Sequence, residues 1–270
     1  MPYMEIEKGV NLYYEDKGEG KPVIFIHGVW MTSRFFHKQI PYFSENYRTI
    51  AVDLRSHGKS PDVSYGNTVA TYAQDLNVFI DKLGLKDVTL DGWSMGAFVI
   101  WEYLHQFGGS NLKATVIVDE LASDFKWPDF EIGAFDLHSL AGMMQGIQTD
   151  QEGLLRGFLP LMFKEDLSEE ELAWMLEETM KIPSSIAGAI LFDQSVIDCR
   201  PYLSEIDVPT LLCFGREEKL IPVAAGEHLH QEIKGSTLEI FEESCHCPFL
   251  EEPERFNQVV DAFIQSLELH

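Results

Sequence analysis

Gly92-Trp93-Ser94-Met95-Gly96 sets a serine between two glycines, each two residues away. A serine hydroxyl becomes a useful nucleophile when a base takes its proton, and that base is ordinarily a histidine oriented by a carboxylate. The chemistry this suggests is acyl transfer to Ser94 followed by hydrolysis. Five residues of this form also arise by chance, so the surrounding elements decide their weight. Val88 to Trp93 (VTLDGW) reads as a buried strand and Ala97 to Phe107 as a helix. Ser94 is then expected in a tight strand-to-helix turn, its oxygen lifted to the carboxyl end of a sheet beside a helix N-terminus. The flanking glycines let strand and helix approach closely.

Stepping outward, short β-branched runs alternate with amphipathic segments, the pattern of a parallel sheet with crossover helices. Pro22 to His27, Arg48 to Asp53, Val88 to Trp93, Ala114 to Val118, Thr210 to Gly215 and Ser236 to Phe241 are nearly continuous apolar strands. Tyr3 to Glu7 and Asn11 to Lys17 complete a mostly parallel eight-stranded sheet as an antiparallel edge turned at Lys8-Gly9. Val69, Tyr72, Ala73, Leu76, Phe79, Ile80 and Leu83 form a 3.6-residue stripe ended by Gly84, which predicts a helix over 68–83. Further helices are expected at 223–233 and from Pro253. Between 121 and 203 helical patterns follow one another with no strand between them, which predicts an inserted helical cap on a core made of 1–120 and 204–270. Ser168-Glu169-Glu170-Glu171 reads as a capping box opening one cap helix. The cap holds Phe125, Trp127, Phe130, Phe135, Met143, Met144, Phe158, Met162, Phe163, Trp174, Met175, Met180 and Phe192. Most of these pack the cap itself, and their density favours an apolar pocket beneath it.

Composition narrows the partners. The chain has 270 residues, 45% of them apolar and 24% charged, and a formal net charge of -24. That charge repels phosphate backbones and anionic lipid, so neither nucleic acid nor membrane is expected as a partner. The N-terminus has no basic region followed by an apolar one, and no run of 18 apolar residues occurs, so a soluble cytoplasmic protein is expected. Cys199, Cys213, Cys245 and Cys247 are few and uneven for a disulfide framework, and reduced thiols are the expectation. His228 and His230 lie two apart without further ligand spacing, so neither a metal nor a cofactor is expected.

The elbow, together with Phe25-Ile26-His27-Gly28, Asp53-Leu54-Arg55-Ser56-His57-Gly58-Lys59-Ser60, Val208-Pro209-Thr210-Leu211 and the run from His246 to Phe256 (HCPFLEEPERF), resembles the α/β-hydrolase family over nearly the whole chain. The likeness is greatest to its esterase, lactonase and cofactor-free haloperoxidase branch. The resemblance implies His246 as the base, after the last strand and before the C-terminal helix, with Cys245 where glycine is usual. It implies an acid three residues after the glycine ending the strand at 210–215, which selects Glu218. Some relatives carry the acid at the end of the preceding strand, where Asp119-Glu120 stands, so Glu120 is the alternative. The oxyanion donors implied are the N–H groups of Val29 and Met95. His27 and His57 are expected in hydrogen-bonded structural roles. Trp30, Trp93, Phe125, Trp127 and Phe249 are the expected pocket residues. Haloperoxidase-like relatives often carry proline where Trp30 stands, which weighs against peroxidase-type chemistry.

The expected function is hydrolysis of a small, largely apolar carboxylic ester or lactone through an acyl-enzyme on Ser94, by a monomer or homodimer. Carbon–carbon bond hydrolysis or perhydrolysis with the same residues is an alternative, and a ligand-binding or signalling protein with slow turnover is another. Aspartate-dependent epoxide hydrolysis and dehalogenation are disfavoured by the serine at 94.

Overall fold

A computed structural model describes residues 2–217 and 219–268. In chain order its elements are β1 (Tyr3–Glu7), β2 (Val10–Lys17), β3 (Pro22–Ile26), α1 (Gln39–Phe43), β4 (Arg48–Asp53), α2 (Val69–Leu83), β5 (Val88–Trp93), α3 (Met95–Phe107) and β6 (Leu112–Val118). Four helices follow, α4 (Leu137–Thr149), α5 (Gln151–Phe158), α6 (Glu169–Thr179) and α7 (Ser184–Val196), before β7 (Thr210–Gly215), α8 (Val223–Glu232), β8 (Thr237–Phe241), α9 (Pro248–Glu251) and α10 (Pro253–Ser266). The eight strands form one sheet in the order β1-β2-β4-β3-β5-β6-β7-β8. β2 runs antiparallel to both β1 and β4, and every other pairing is parallel. Every residue of β3, β5 and β7 is buried, which is why their sequences are unbroken apolar runs rather than alternating ones.

Local signals set the element ends. Gly9 takes a φ of 79° at the β1–β2 turn. The Thr68 hydroxyl caps α2 by accepting from the Thr71 N–H, and Gly84 ends that helix with a φ of 63°. Ser168 and Glu171 close the capping box of α6 reciprocally. α2 packs on α3, and α1 on α10. One boundary matters for chemistry: α3 begins at Met95, directly after Ser94, not at Ala97 as the sequence suggested. Its first N–H groups therefore lie beside the serine with no intrahelical acceptor.

α4 to α7 and the segment leading to them lie between β6 and β7 in sequence, and α4 packs on both α5 and α7. Only two isolated bridges, Phe125 to Phe135 and Trp127 to Phe130, interrupt the helical character of this stretch. Among the described residues, no helix is long and apolar enough to cross a membrane.

Candidate active site

Ser94 has a φ of 53° and a ψ of -125°, and it is 8% exposed. A non-glycine residue takes such angles only when its surroundings hold it there. The hold comes from both sides. The Ser94 N–H donates to the Val118 carbonyl at 3.0 Å, and its own carbonyl accepts from the Ala97 N–H at 2.7 Å. A Cβ on Gly92 would lie 2.5 Å from the Gly96 carbonyl oxygen, and one on Gly96 would collide with the Ile26 carbonyl. Side chains at 92 or 96 would push α3 off the sheet.

The loop after β3 closes against the serine. A Cβ on Gly28 would sit 3.1 Å from Ser94 Cβ, so only glycine lets this backbone come so near. His27 and His57 brace the loop as neutral rings. The Leu54 N–H donates to His27 Nε2 at 3.0 Å and the Trp30 N–H to His57 Nε2 at 3.3 Å, while the two Nδ1 atoms face the Gly28 and Arg55 carbonyls. Burial lowers His27 to about 4, and burial with the neighbouring His27 lowers His57 to about 3. The Asp53 carboxylate gathers the Ser33 and Lys59 N–H groups. Glu178 of α6 accepts from Thr32 and Arg34, tying the same loop to the inserted helices. Trp30, at φ 65°, donates its indole N–H to the Ala187 carbonyl at 3.0 Å.

His246 follows β8 and is held at three points. Its N–H donates to the Met162 carbonyl at 3.0 Å, its carbonyl accepts from the Trp93 indole at 2.9 Å, and its Nδ1 lies 3.2 Å from Asp119 Oδ1. An ionised carboxylate only accepts, so Nδ1 carries the proton and Nε2 presents its lone pair. Cys245, which precedes it, takes no left-handed angle; its N–H donates to Glu251 at 2.8 Å, so this loop has no need of glycine there.

The carboxylate at His246 is thus Asp119, the neighbour of the alternative the sequence suggested. Asp119 has a φ of 49°, and its second oxygen accepts from the Gly215 N–H at 2.8 Å. Adjacent side chains leaving a strand point to opposite sides. Glu120 is directed at the nucleophile instead: its Oε2 accepts from the Ser94 hydroxyl at 3.3 Å and its Oε1 from the Leu121 N–H at 2.7 Å. Glu218 lies outside the described residues.

Ser94, His246, Val29, Trp30 and Glu120 line one cavity of about 70 Å³, together with Asp124, Ala134, Phe135, Met143, Phe158, Leu191, Gln194, Leu220 and Ile221. Trp30 is the one expected aromatic that reaches it. Trp93 and Phe249 are fully buried against each other in the core, and Phe125 and Trp127 pack half-buried on one another without lining the cavity. Burial, with the nearby Asp124 charge, drives Glu120 well above the carboxylate range, and burial pushes Asp124 up to about 6. Neither Asp124 nor Gln194 was singled out by sequence. The available signal was a glutamine on the otherwise apolar inner face of α7.

The α/β-hydrolase-fold family model matches residues 21–253. The chain is 30% identical over 269 residues to the AB hydrolase superfamily protein YisY of Bacillus subtilis, covering 98% of this chain and 99% of that one. An esterase of Exiguobacterium antarcticum superposes with a TM-score of 0.93 at 29% identity, covering 97% and 98%. A bromoperoxidase of Bacillus anthracis does so with the same TM-score at 26% identity, covering 97% and 99%. With the eight-stranded sheet, the strained serine and a match this broad, the chain belongs to the α/β-hydrolase family.

Proposed function

We propose that the protein hydrolyses a small, largely apolar carboxylic ester or lactone through an acyl-enzyme on Ser94, with residues 121–203 acting as a cap over the acyl pocket. The observation that carries this reading is the shared cavity of Ser94 and His246, with Asp119 on the far nitrogen of the imidazole. The likeness to a protein named esterase supports it.

In this mechanism the Ser94 hydroxyl turns from Glu120 to His246 Nε2. Oγ attacks the substrate carbonyl carbon as its proton passes to Nε2, and the imidazolium is stabilised by Asp119. The negative charge moves to the carbonyl oxygen, where the Met95 and Val29 N–H groups receive it. Collapse breaks the carbon–oxygen bond, and His246 returns the proton to the departing alcohol. Water, deprotonated by His246, then attacks the acyl-enzyme, releasing the acid and restoring Ser94.

The test is turnover of p-nitrophenyl butyrate by the purified Ser94→Ala protein. Loss of activity with the fold intact is expected, and unchanged turnover would overturn the assignment. Acyl transfer to hydrogen peroxide is a second reading, favoured by the likeness to a protein named bromoperoxidase. Trp30 stands against it, and peracid formation from acetate and peroxide would separate the two.

A further inference from the structure

Apart from Ser94 and His246, the polar residues lining the cavity are Glu120, Asp124 and Gln194, each at most 4% exposed. The hydrogen bonds there have a fixed sense. Gln194 Nε2 donates to Asp124 Oδ2 at 2.7 Å, and Glu120 Oε2 accepts from the Ser94 hydroxyl at 3.3 Å. Turning the amide over would set the Gln194 oxygen against the Asp124 oxygen, so its orientation is determined by its neighbour. Gln194 Oε1 is left buried with no partner among the described residues. Buried acceptors are nearly always satisfied, and each exception asks for a cause. No lysine or arginine is among the described residues lining the cavity.

We propose that Gln194, backed by Asp124 and Glu120, forms a specificity corner that binds a hydroxyl group on the acyl chain of the substrate. The unpaired Gln194 oxygen accepts the hydroxyl hydrogen. Because Glu120 Oε2 lies 3.3 Å from Ser94 Oγ, the corner begins at the nucleophile and is within reach of an acyl chain esterified there. The same carboxylate repels an acyl chain ending in an anion. This inference rests on the acyl-enzyme reading of Ser94.

The experiment measures kcat/KM by pH-stat for methyl butyrate, both enantiomers of methyl 3-hydroxybutyrate, and monomethyl succinate. The wild-type chain, Gln194→Met and Ser94→Ala are compared. One hydroxybutyrate enantiomer is expected to exceed methyl butyrate by roughly tenfold, the effect of one well-placed buried hydrogen bond, with monomethyl succinate slowest. Gln194→Met should bring the hydroxybutyrate-to-butyrate ratio close to one, chiefly through KM. Equal wild-type rates on the two substrates, or a ratio that survives Gln194→Met, overturn the corner while leaving Ser94-dependent hydrolysis standing. Hydrolysis that persists in Ser94→Ala overturns the acyl-enzyme reading and this inference with it. If Gln194→Met does not fold, the wild-type substrate ratio decides alone.

Discussion

The turns at the ends of β5 and β6 lie side by side, and each holds a non-glycine residue in a left-handed conformation, Ser94 at φ 53° and Asp119 at φ 49°. They are stabilised differently. At Ser94 the strain is accommodated by what is missing: Gly92 and Gly96 leave room for α3 to press onto β3 and β5. At Asp119 the turn is held by hydrogen bonds, from its own N–H to the Cys213 carbonyl and from the Gly215 N–H to its carboxylate, Gly215 also leaving room for the Cys245 carbonyl. Aspartate tolerates this conformation better than most residues. A turn built by close approach writes a motif into the sequence, whereas one built by side-chain hydrogen bonds leaves almost none.

Substitutions should break the two turns in different ways. At the first, Ser94→Ala is expected to lower kcat by about a million-fold with little change in Tm, because it removes the nucleophile and none of the packing. Gly92→Ala should instead attack the fold, since the new methyl meets the Gly96 carbonyl and Ile100. A loss of about 1–3 kcal/mol, read as several degrees of Tm, is expected, and an unshifted Tm would show that close packing is not what holds Ser94. The smallest effect concerns the bracing loop. His57 is lowered to about 3 in the fold against about 6.5 in the unfolded chain. Below pH 6.5 the unfolded chain takes up a proton that the folded one refuses until about 3, so the stability His57 gives is complete above 6.5 and is lost as pH falls. The Tm advantage of wild type over His57→Gln should shrink between pH 7.5 and pH 4. A gap independent of pH would remove the buried neutral imidazole from the account.

The same contrast explains what could be read in advance. The strands, the elbow turn and the Ser168 capping box follow from local patterns, and these segments lie within a residue or two of their expected limits. The acid does not, because whether Asp119 or Glu120 meets His246 depends on one residue of strand phase. Pocket residues were least legible. Trp93, at the end of β5, and Phe249, in α9, are buried in the core, while Met143 and Phe158, from the helices between β6 and β7, line the cavity. Gln194 was marked only as a glutamine on the inner face of α7, and its partner Asp124 lies 70 residues away.

The central claim, a Ser94-His246-Asp119 relay, is tested most directly by kcat/KM of Asp119→Asn beside Glu218→Gln on p-nitrophenyl butyrate. Asparagine can keep the turn but not the charge, so Asp119→Asn should fall by about 10⁴-fold at near wild-type Tm, while Glu218→Gln stays within a few-fold of wild type. An active Asp119→Asn with an inactive Glu218→Gln would contradict the account.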